Sequence, residues 1–469
     1  MVLVACGSSA RPGTLGPVRV LSPENRVVVS DFSEVEAVAA SSWFVYAATT
    51  HGLLIYDRVS RRFRVPVTAI DGYPSGRVRR AMADPALNAV WLDLGVGAGY
   101  VRYDVDGRAW TPGVPTSSAP PLTVEAALAT APVADAMRAA ILTDPRLRTH
   151  QFTAAAATPD RPEVFFGTNG LGLVRVDKQT GEWEVLTYGL LAPGVGAVAS
   201  TPSGVWAATT AGVGRAQRRG VSWVARDLSA TRSTEGGRAA LGFSFLFGRR
   251  LLAQGDQLWL ASEQGVMRID STGAAARTWD FDDATCLAAS SRGIWVGTRL
   301  GLSLITANEW PQNLEPRGIA ITSLLVAGDT LWVGTSSGLA YVAPGRADMT
   351  IPFELRERAS LRVTVHALAR LQDTIVMATE RELLWRDPAT HAWTSVALPR
   401  ALGIPTALAP GPNGVLWIGG TRGLAQAEIT RGFVHVYSAP FEIPAAVRDL
   451  AIDRHYLWAA TDSGLVRIQ

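Results

Sequence analysis

A single phrase recurs along this chain and limits its fold more than any other feature. An aromatic flanked by aliphatics is followed by Gly or Ala, then Thr, two variable positions, Gly and Leu. The clearest copies are Leu331-Trp332-Val333-Gly334-Thr335 ending at Gly338-Leu339, and Ile294-Trp295-Val296-Gly297-Thr298 ending at Gly301-Leu302. Others centre on Tyr46, Phe165, Trp206, Trp259, Trp417 and Trp458, with weaker ones on Trp91 and Val376, which makes ten. Trp295 and Trp332 are 37 residues apart, and Trp417 and Trp458 41, which is the pitch of a propeller blade.

Each copy reads as four strands. In the repeat around Trp332, Ile321 to Ala327 is the inner strand, Leu331 to Thr335 the second, Leu339 to Val342 the third, and the stretch near Met349 to Phe353 the outer one. Leu331, Val333 and Thr335 point to one side, Trp332 and Gly334 to the other. A sheet that is apolar on both faces must be covered on both, and in a propeller the neighbouring blades do this. The Gly beside the Trp leaves room for the next blade, and the later Gly serves a tight hairpin.

Closure is read from the ends. The last repeat stops at Gly464-Leu465-Val466-Arg467-Ile468-Gln469, while Pro17-Val18-Arg19-Val20-Leu21-Ser22-Pro23 has the pattern of an outer strand. An N-terminal strand completing the last blade would remove exposed sheet edges. The expectation is an all-β, closed β-propeller over residues 18–469, as one ring of about ten blades, with eight or nine blades or two five-bladed rings as alternatives. Residues 111–150 and 217–248 interrupt the rhythm as insertions, the first with a helical stretch from Val133 to Ile141 after Pro132.

Composition narrows the function classes. The 48% of hydrophobic residues, 45 Gly and 27 Pro describe a globular, turn-rich chain with no apolar run of about twenty residues. The formal charge is +3, and Lys178 is the only lysine among 44 basic residues. No basic tract interleaved with aromatics marks a nucleic-acid surface, so nucleic acid is not an expected partner. Cys6 and Cys286 are the only cysteines, which leaves no disulfide framework and no CxxC site.

Leu3-Val4-Ala5-Cys6 resembles the lipobox of bacterial lipoproteins, in which the cysteine becomes diacylated. The polar Gly7-Ser8-Ser9-Ala10-Arg11-Pro12-Gly13 that follows suits a tether, so residues 1–17 read as lipobox and linker. Five residues before Cys6 are too few for an export signal, so this reading needs an earlier start. The resemblance implies lipidation at Cys6 and an extracytoplasmic place, in the periplasm or at the cell surface. The phrases LWVGTSSGL, LWIGGTRGL and IWVGTRLGL resemble the two-component regulator propeller repeat, from about residue 31 onward. In that family such propellers are periplasmic sensors of glycan fragments without activity of their own. The kinase and immunoglobulin-like parts of that layout have no counterpart in this sequence.

No catalytic motif is visible. His51, His150, His366, His391, His435 and His455 show no HxH or HExxH spacing, and Gly-x-Ser-x-Gly is absent. Asp177-Lys178-Gln179-Thr180-Gly181-Glu182-Trp183 is similar to the tryptophan motif of quinone-dependent dehydrogenase propellers but occurs once, and reads as a third-to-fourth-strand turn. No cofactor is expected. Residues about ten before each central aromatic should crowd the channel mouth: Glu36, Arg79 and Arg80 early in the chain, Arg249 and Arg250 in mid-chain, and His366, Arg448 and Asp449 late. Arginine offers forked donors, so the mouth is expected to suit an anionic or hydroxyl-rich ligand. The leading expectation is a non-catalytic, lipid-anchored scaffold or accessory subunit that holds other proteins of a membrane-associated complex. A glycan-binding sensor is the alternative, and a propeller lyase, similar in fold to streptogramin-inactivating lyases, comes third.

Overall fold

The computed structural model describes residues 25–469, except 85–86, 116–120, 132–149, 218–222, 227–247, 315–317, 353–361 and positions 272, 274, 309, 347, 388, 391 and 455. Cys6, the tether, the outer-strand candidate 17–23 and the helix expected at 133–141 lie outside these residues. So does most of the insertion at 217–248, of which Trp223–Arg226 is a strand.

Ten antiparallel sheets follow one another, each a meander of the kind the phrase implies. They are numbered here as blades 1 to 10 in chain order. Among the described residues nine have four strands and the seventh has three, with Thr350 bridging Tyr341 where an outer strand would lie. The phrase is legible in each blade. The Thr335 hydroxyl donates to the Gly338 carbonyl at 2.8 Å and accepts the Ser337 N–H, which ties the hairpin between second and third strands. Asp177 accepts the N–H of Gln179 at 2.8 Å, so the segment before Trp183 is a third-to-fourth-strand turn.

The closing strand exists, but it is Arg26–Val29, paired antiparallel with Gly464–Ile468 as the outer strand of blade 10. Its placement follows from its apolar run Val27-Val28-Val29, all buried. Gly464, at φ +147°, has the carbonyl of Val29 2.6 Å from where a Cβ would stand.

The expectation of a single ring of ten is corrected by the packing between blades. In every blade of the ring the central side chain faces the blade that follows. Trp332 shares a core with Val365 and Met377 of blade 8, Trp295 with Ile321 and Val333 of blade 7, and Trp417 with Val447 and Leu457 of blade 10. Trp458 of blade 10 then shares a core with Val198 and Val205 of blade 4. The inner strands Val195–Thr201 and Val447–Ile452 lie side by side. Blades 4 to 10 therefore close a ring of seven.

Blades 1 to 3 form a separate arm in the spatial order 3, 1, 2. The inner strand of blade 1, Val35–Ala40, lies between those of blades 3 and 2. Phe165 of blade 3 packs toward Tyr56 of blade 1, their rings 6.1 Å apart. Tyr46 faces Val90 and Leu92 of blade 2. The helix Val124–Thr130, capped by the Thr123 hydroxyl, lays Ala127 and Ala131 on the outer face of blade 3 against Val164, Phe166 and Val176. It lies within the expected first insertion, whose first residues finish blade 2 as the strand Ala109–Gly113.

The small residue after the aromatic shows why this order holds. A Cβ on Gly334 would stand 2.9 Å from Val365 of the next blade, and one on Gly167 2.6 Å from Val35. The glycine thus admits a β-branched side chain of the neighbour's inner strand, and blade 3 has blade 1 for its neighbour. Blade 2 carries Asp93 at this position, where the other nine have Gly or Ala.

The arm is an insertion between the closing strand and blade 4. The chain leaves the ring at Ser30 and returns at Leu190, whose N–H donates to the Ser30 carbonyl at 2.9 Å. Phe32 and Tyr188 pack at 6.0 Å across this junction. Gly189, at φ +103°, has the Ser30 carbonyl 2.3 Å from where its Cβ would be, so only glycine allows the two crossings to touch. A buried ion network fastens blade 1 to blade 3. Arg58 donates to Glu163 at 3.0 Å and Asp160 at 2.7 Å, and Arg175 donates to Glu163 at 2.8 Å.

Candidate functional site

Five of the seven ring blades, 4, 6, 7, 9 and 10, begin their inner strand with an irregularity. The pairing of first and second strands skips Gly196, Thr285, Thr322, Thr406 and Arg448, each an extra residue on the inner strand. Arg249 and His366 hold the corresponding positions, their N–H groups donating to Ala261 and Ala378 at 2.8 Å. A bulge turns one side chain out of the pleat. Here the seven turned-out positions form a belt around one mouth of the channel, and all seven line a cavity of 650 Å³.

The belt has two parts. In blades 6, 7 and 9 the residue is threonine, whose hydroxyl is spent on the next blade. Thr285 donates to the Ile321 carbonyl and Thr406 to the Val447 carbonyl, each at 2.6 Å, and Thr322 donates to the Val365 carbonyl. Blade 8 has His366 instead, whose imidazole makes no hydrogen bond among the described residues. Burial holds its pKa below 6.5, only partly opposed by Glu380, so the ring is neutral at pH 7. Ala320, Ile321, Ile404 and Pro405 complete an uncharged wall.

The opposite wall is ionic on blades 5, 6 and 10, and blade 4 adds only Gly194, Val195 and Gly196 to it. Arg448 forms a two-pronged pair with Asp462 at 2.7 and 2.8 Å, which raises its pKa further. Arg249 pairs with Glu263 at 3.0 Å and Asp283 at 2.8 Å, and Arg299 also reaches Asp283. Beneath the mouth, Arg250 of blade 5 crosses to Asp449 of blade 10 and donates to the Thr406 carbonyl of blade 9 at 2.7 Å. Asp449 also accepts the Val198 N–H at 3.1 Å; its burial pushes its carboxyl upward, against the pull of Arg250 and these amides. This strap ties blades 4, 5, 9 and 10 together below the cavity.

The site residues expected from sequence divide accordingly. Arg249, Arg250, His366 and Arg448 line the mouth, and Asp449 is buried beneath it. Glu36, Arg79 and Arg80 hold the same repeat positions but stand in the arm, so they are not at the ring mouth. The Glu36 carboxylate accepts the Val78 N–H at 2.8 Å and joins blade 1 to blade 2. The forked donors expected there are met by acids of the chain itself: the guanidiniums of Arg249, Arg250, Arg299 and Arg448 face the carboxylates of Glu263, Asp283, Asp449 and Asp462. Three of these acids went unread, although Glu263 and Asp462 occupy the first variable position after the Thr or Ser of the phrase. Among the described residues no group of three or more His, Cys, Asp and Glu side chains is placed to hold a metal ion. Cys286 is buried, and its thiol is pushed up to about 11.

No known protein family matches the sequence, and no curated protein resembles it closely enough to count as a relative. Among solved structures, the chain is similar to the extracellular domain of a putative hybrid two-component system from B. thetaiotaomicron. That likeness has 13% identity over 92% of this chain and 69% of that one, with a TM-score of 0.46. It is similar to virginiamycin B lyase from Staphylococcus aureus, at 13% identity over 59% of this chain and 95% of that one, with a TM-score of 0.47. The WD40 propeller domain of Doa1 matches 59% of this chain over 92% of its own length, at 11% identity and a TM-score of 0.46. Likeness at this level says nothing of ligand or activity. The strand pairing and blade contacts of the chain itself make it an all-β propeller protein whose ten sheets divide into a closed ring and an inserted arm.

Proposed function

We propose that the protein is a non-catalytic binding subunit, lipid-anchored at Cys6 on the outer side of a membrane, that uses the mouth face of its seven-bladed ring to hold another protein. The observation that supports this most is the character of that face. Connections between blades and second-to-third-strand turns emerge at the same end as the belt. They expose Leu300 (58%), Ile404 (43%) and Phe441 (79%), of which Ile404 also lines the uncharged wall. Large apolar side chains exposed at the end of the ring that holds a cavity and ion pairs match the make-up of a docking surface. A second reading, uptake of a small ligand, draws on the cavity, whose 650 Å³ falls within the range of ligand pockets.

Native extraction from the source membrane followed by intact-mass analysis tests the leading reading. The expected result is a chain that begins at diacylated Cys6 and co-purifies with a stoichiometric partner, which Phe441→Asp or Leu300→Asp releases. An unmodified soluble monomer overturns it.

A further inference from the structure

We infer that blade 2 of the arm receives an acidic segment of a partner protein, whose carboxylates take the places on Arg79 that acids of this chain occupy on the equivalent arginines of the ring. The site lies in the arm and goes beyond the ring mouth described above. It follows from comparing one repeat position in three blades.

Arg79 holds the belt position of blade 2. Its N–H donates to the Asp93 carbonyl at 2.8 Å, as the N–H of Arg249 donates to Ala261, and Asp93 and Ala261 each stand two residues after the central Trp. In the ring such an arginine is held by acids. Glu263 and Asp462, four residues after the central Trp of their own blades, pair with Arg249 and Arg448, and Arg249 also meets Asp283 of the next blade. Blade 2 has neither partner. Gly95 stands four residues after Trp91, and among the described residues no sheet follows blade 2 in the arm. The exposed Arg79 lies against Gly95, its Nε 2.6 Å from where a Cβ would stand, and its guanidinium makes no hydrogen bond or ion pair among the described residues. Arg77 and Arg80 have no acid partner there either. The neighbouring carboxylates of Glu36 and Asp93 are held by the N–H groups of Val78 and Gly95, each at 2.8 Å.

The hairpin beside Arg79 departs from the repeat in the same direction. Thr461 and Gly464 of blade 10 enclose two residues, whereas Asp93 and Tyr100 enclose Leu94 to Gly99. Gly95, Gly97 and Gly99 take φ of +89°, +94° and +73°, while Val96 and Ala98 between them stay out of that region. Alternation of this kind turns successive N–H groups toward one side, where they gather an anion. The N–H groups of Val96 and Gly97 donate to nothing among the described residues, and Val96 is 98% exposed.

Two observations select the occupant. Asp93 fills the gap through which a following blade would insert its β-branched side chain, so the end of the arm does not take another blade. Arg79 is also exposed, and a lone carboxylate paired with an exposed arginine gains little. A segment with several acids can engage Arg77, Arg79 and the two free amides together, which multiplies weak contacts.

The test is anisotropy titration of the full chain at low salt with a labelled, capped hexaglutamate peptide, with hexaglutamine and free glutarate as comparisons. Hexaglutamate is expected to bind at least tenfold tighter than hexaglutamine and to shift the amide magnetic resonance signals of Val96 and Gly97. Arg79→Ala, which removes no hydrogen bond or ion pair inside the chain, should weaken binding about tenfold or more, the loss expected for charge-assisted hydrogen bonds. Gly95→Asp, which supplies in the hairpin the acid that Glu263 supplies in blade 5, should weaken it similarly. Arg346→Ala takes the same charge from an exposed turn of blade 7 and should leave binding unchanged. No binding of hexaglutamate, or equal weakening by Arg79→Ala and Arg346→Ala, overturns the inference. Glutarate that displaces the peptide at equal carboxylate concentration overturns a protein segment as the occupant.

Discussion

Replacing Gly167 by alanine tests the arrangement of the blades directly, because only one topology gives that residue its neighbour. A methyl group on Gly167 would stand 2.6 Å from Cγ1 of Val35 and 3.0 Å from Cγ2 of Val38. Overpacking of this kind costs about 1–3 kcal/mol. Val35 is 1% exposed. Val35→Ala removes two carbons at about 0.8 kcal/mol each, and the void adds a cavity penalty, for roughly 2–3 kcal/mol in all. In the double variant the new methyl occupies space that the valine vacated. The two losses should therefore fall short of their sum by roughly 1–2 kcal/mol, well above the 0.3–0.5 kcal/mol scatter of independent sites. Guanidinium unfolding followed by fluorescence gives the four stabilities. Gly334→Ala with Val365→Ala is the matching cycle inside the ring and should couple alike, whereas Gly167→Ala with Val195→Ala should simply add. Additivity of the Gly167 and Val35 changes, with coupling to Val195 instead, would refute the 3, 1, 2 order of the arm and restore a ring in chain order.

Three further expectations follow from the closing strand, the ion network and the junction. Gly464→Ala places a Cβ against the Val29 carbonyl at a φ of +147°, so about 1–3 kcal/mol should be lost, with faster amide exchange concentrated in Arg26–Val29. Unchanged exchange there would mean that the strand is held by something else. Burial pushes the Glu163 carboxyl upward, but hydrogen bonds from Arg175 and Arg58 outweigh it and hold the folded pKa below 4.5. The stabilisation is therefore complete above about 4.5 and is lost as pH falls through the lower folded value. Denaturation measured against pH should show this slope in the wild type and a flatter one in Glu163→Gln; parallel curves would contradict it. Deleting the arm and joining Ser30 to Leu190 through a few glycines should leave a ring that unfolds cooperatively, since those residues are hydrogen-bonded at 2.9 Å. A shortened chain without near-ultraviolet dichroism would show that the ring depends on the arm.

Much of the fold was legible because the repeat writes each blade separately. The Thr335 and Gly338 pair specifies a hairpin by local hydrogen bonding, and alternation around Trp332 specifies two buried faces. Neither needs information from elsewhere in the chain. The need for a closing strand was also visible, although its position was misjudged: Arg26–Val29 supplies it, from the continuous valine run rather than from the alternating segment at 17–23.

Sequence alone determined the blade, its count and the positions that turn toward a channel, because these depend on spacing within a repeat of about 40 residues. Only the tertiary structure decided which blade follows which. Nine of the ten blades offer an aromatic on one face, and blades 1 and 4 both offer a valine, Val35 and Val195, to receive it, so blade 3 can stack on blade 1 as readily as on blade 4. The junction through Gly189 and Leu190 selects between them. That choice moved Glu36, Arg79 and Arg80 out of the mouth, whereas Asp462 and Glu263 stand beside Arg448 and Arg249 within their own blades. A site assembled from one residue per blade has no local signature beyond its phase in the repeat, and its net charge exists only once the ring has closed.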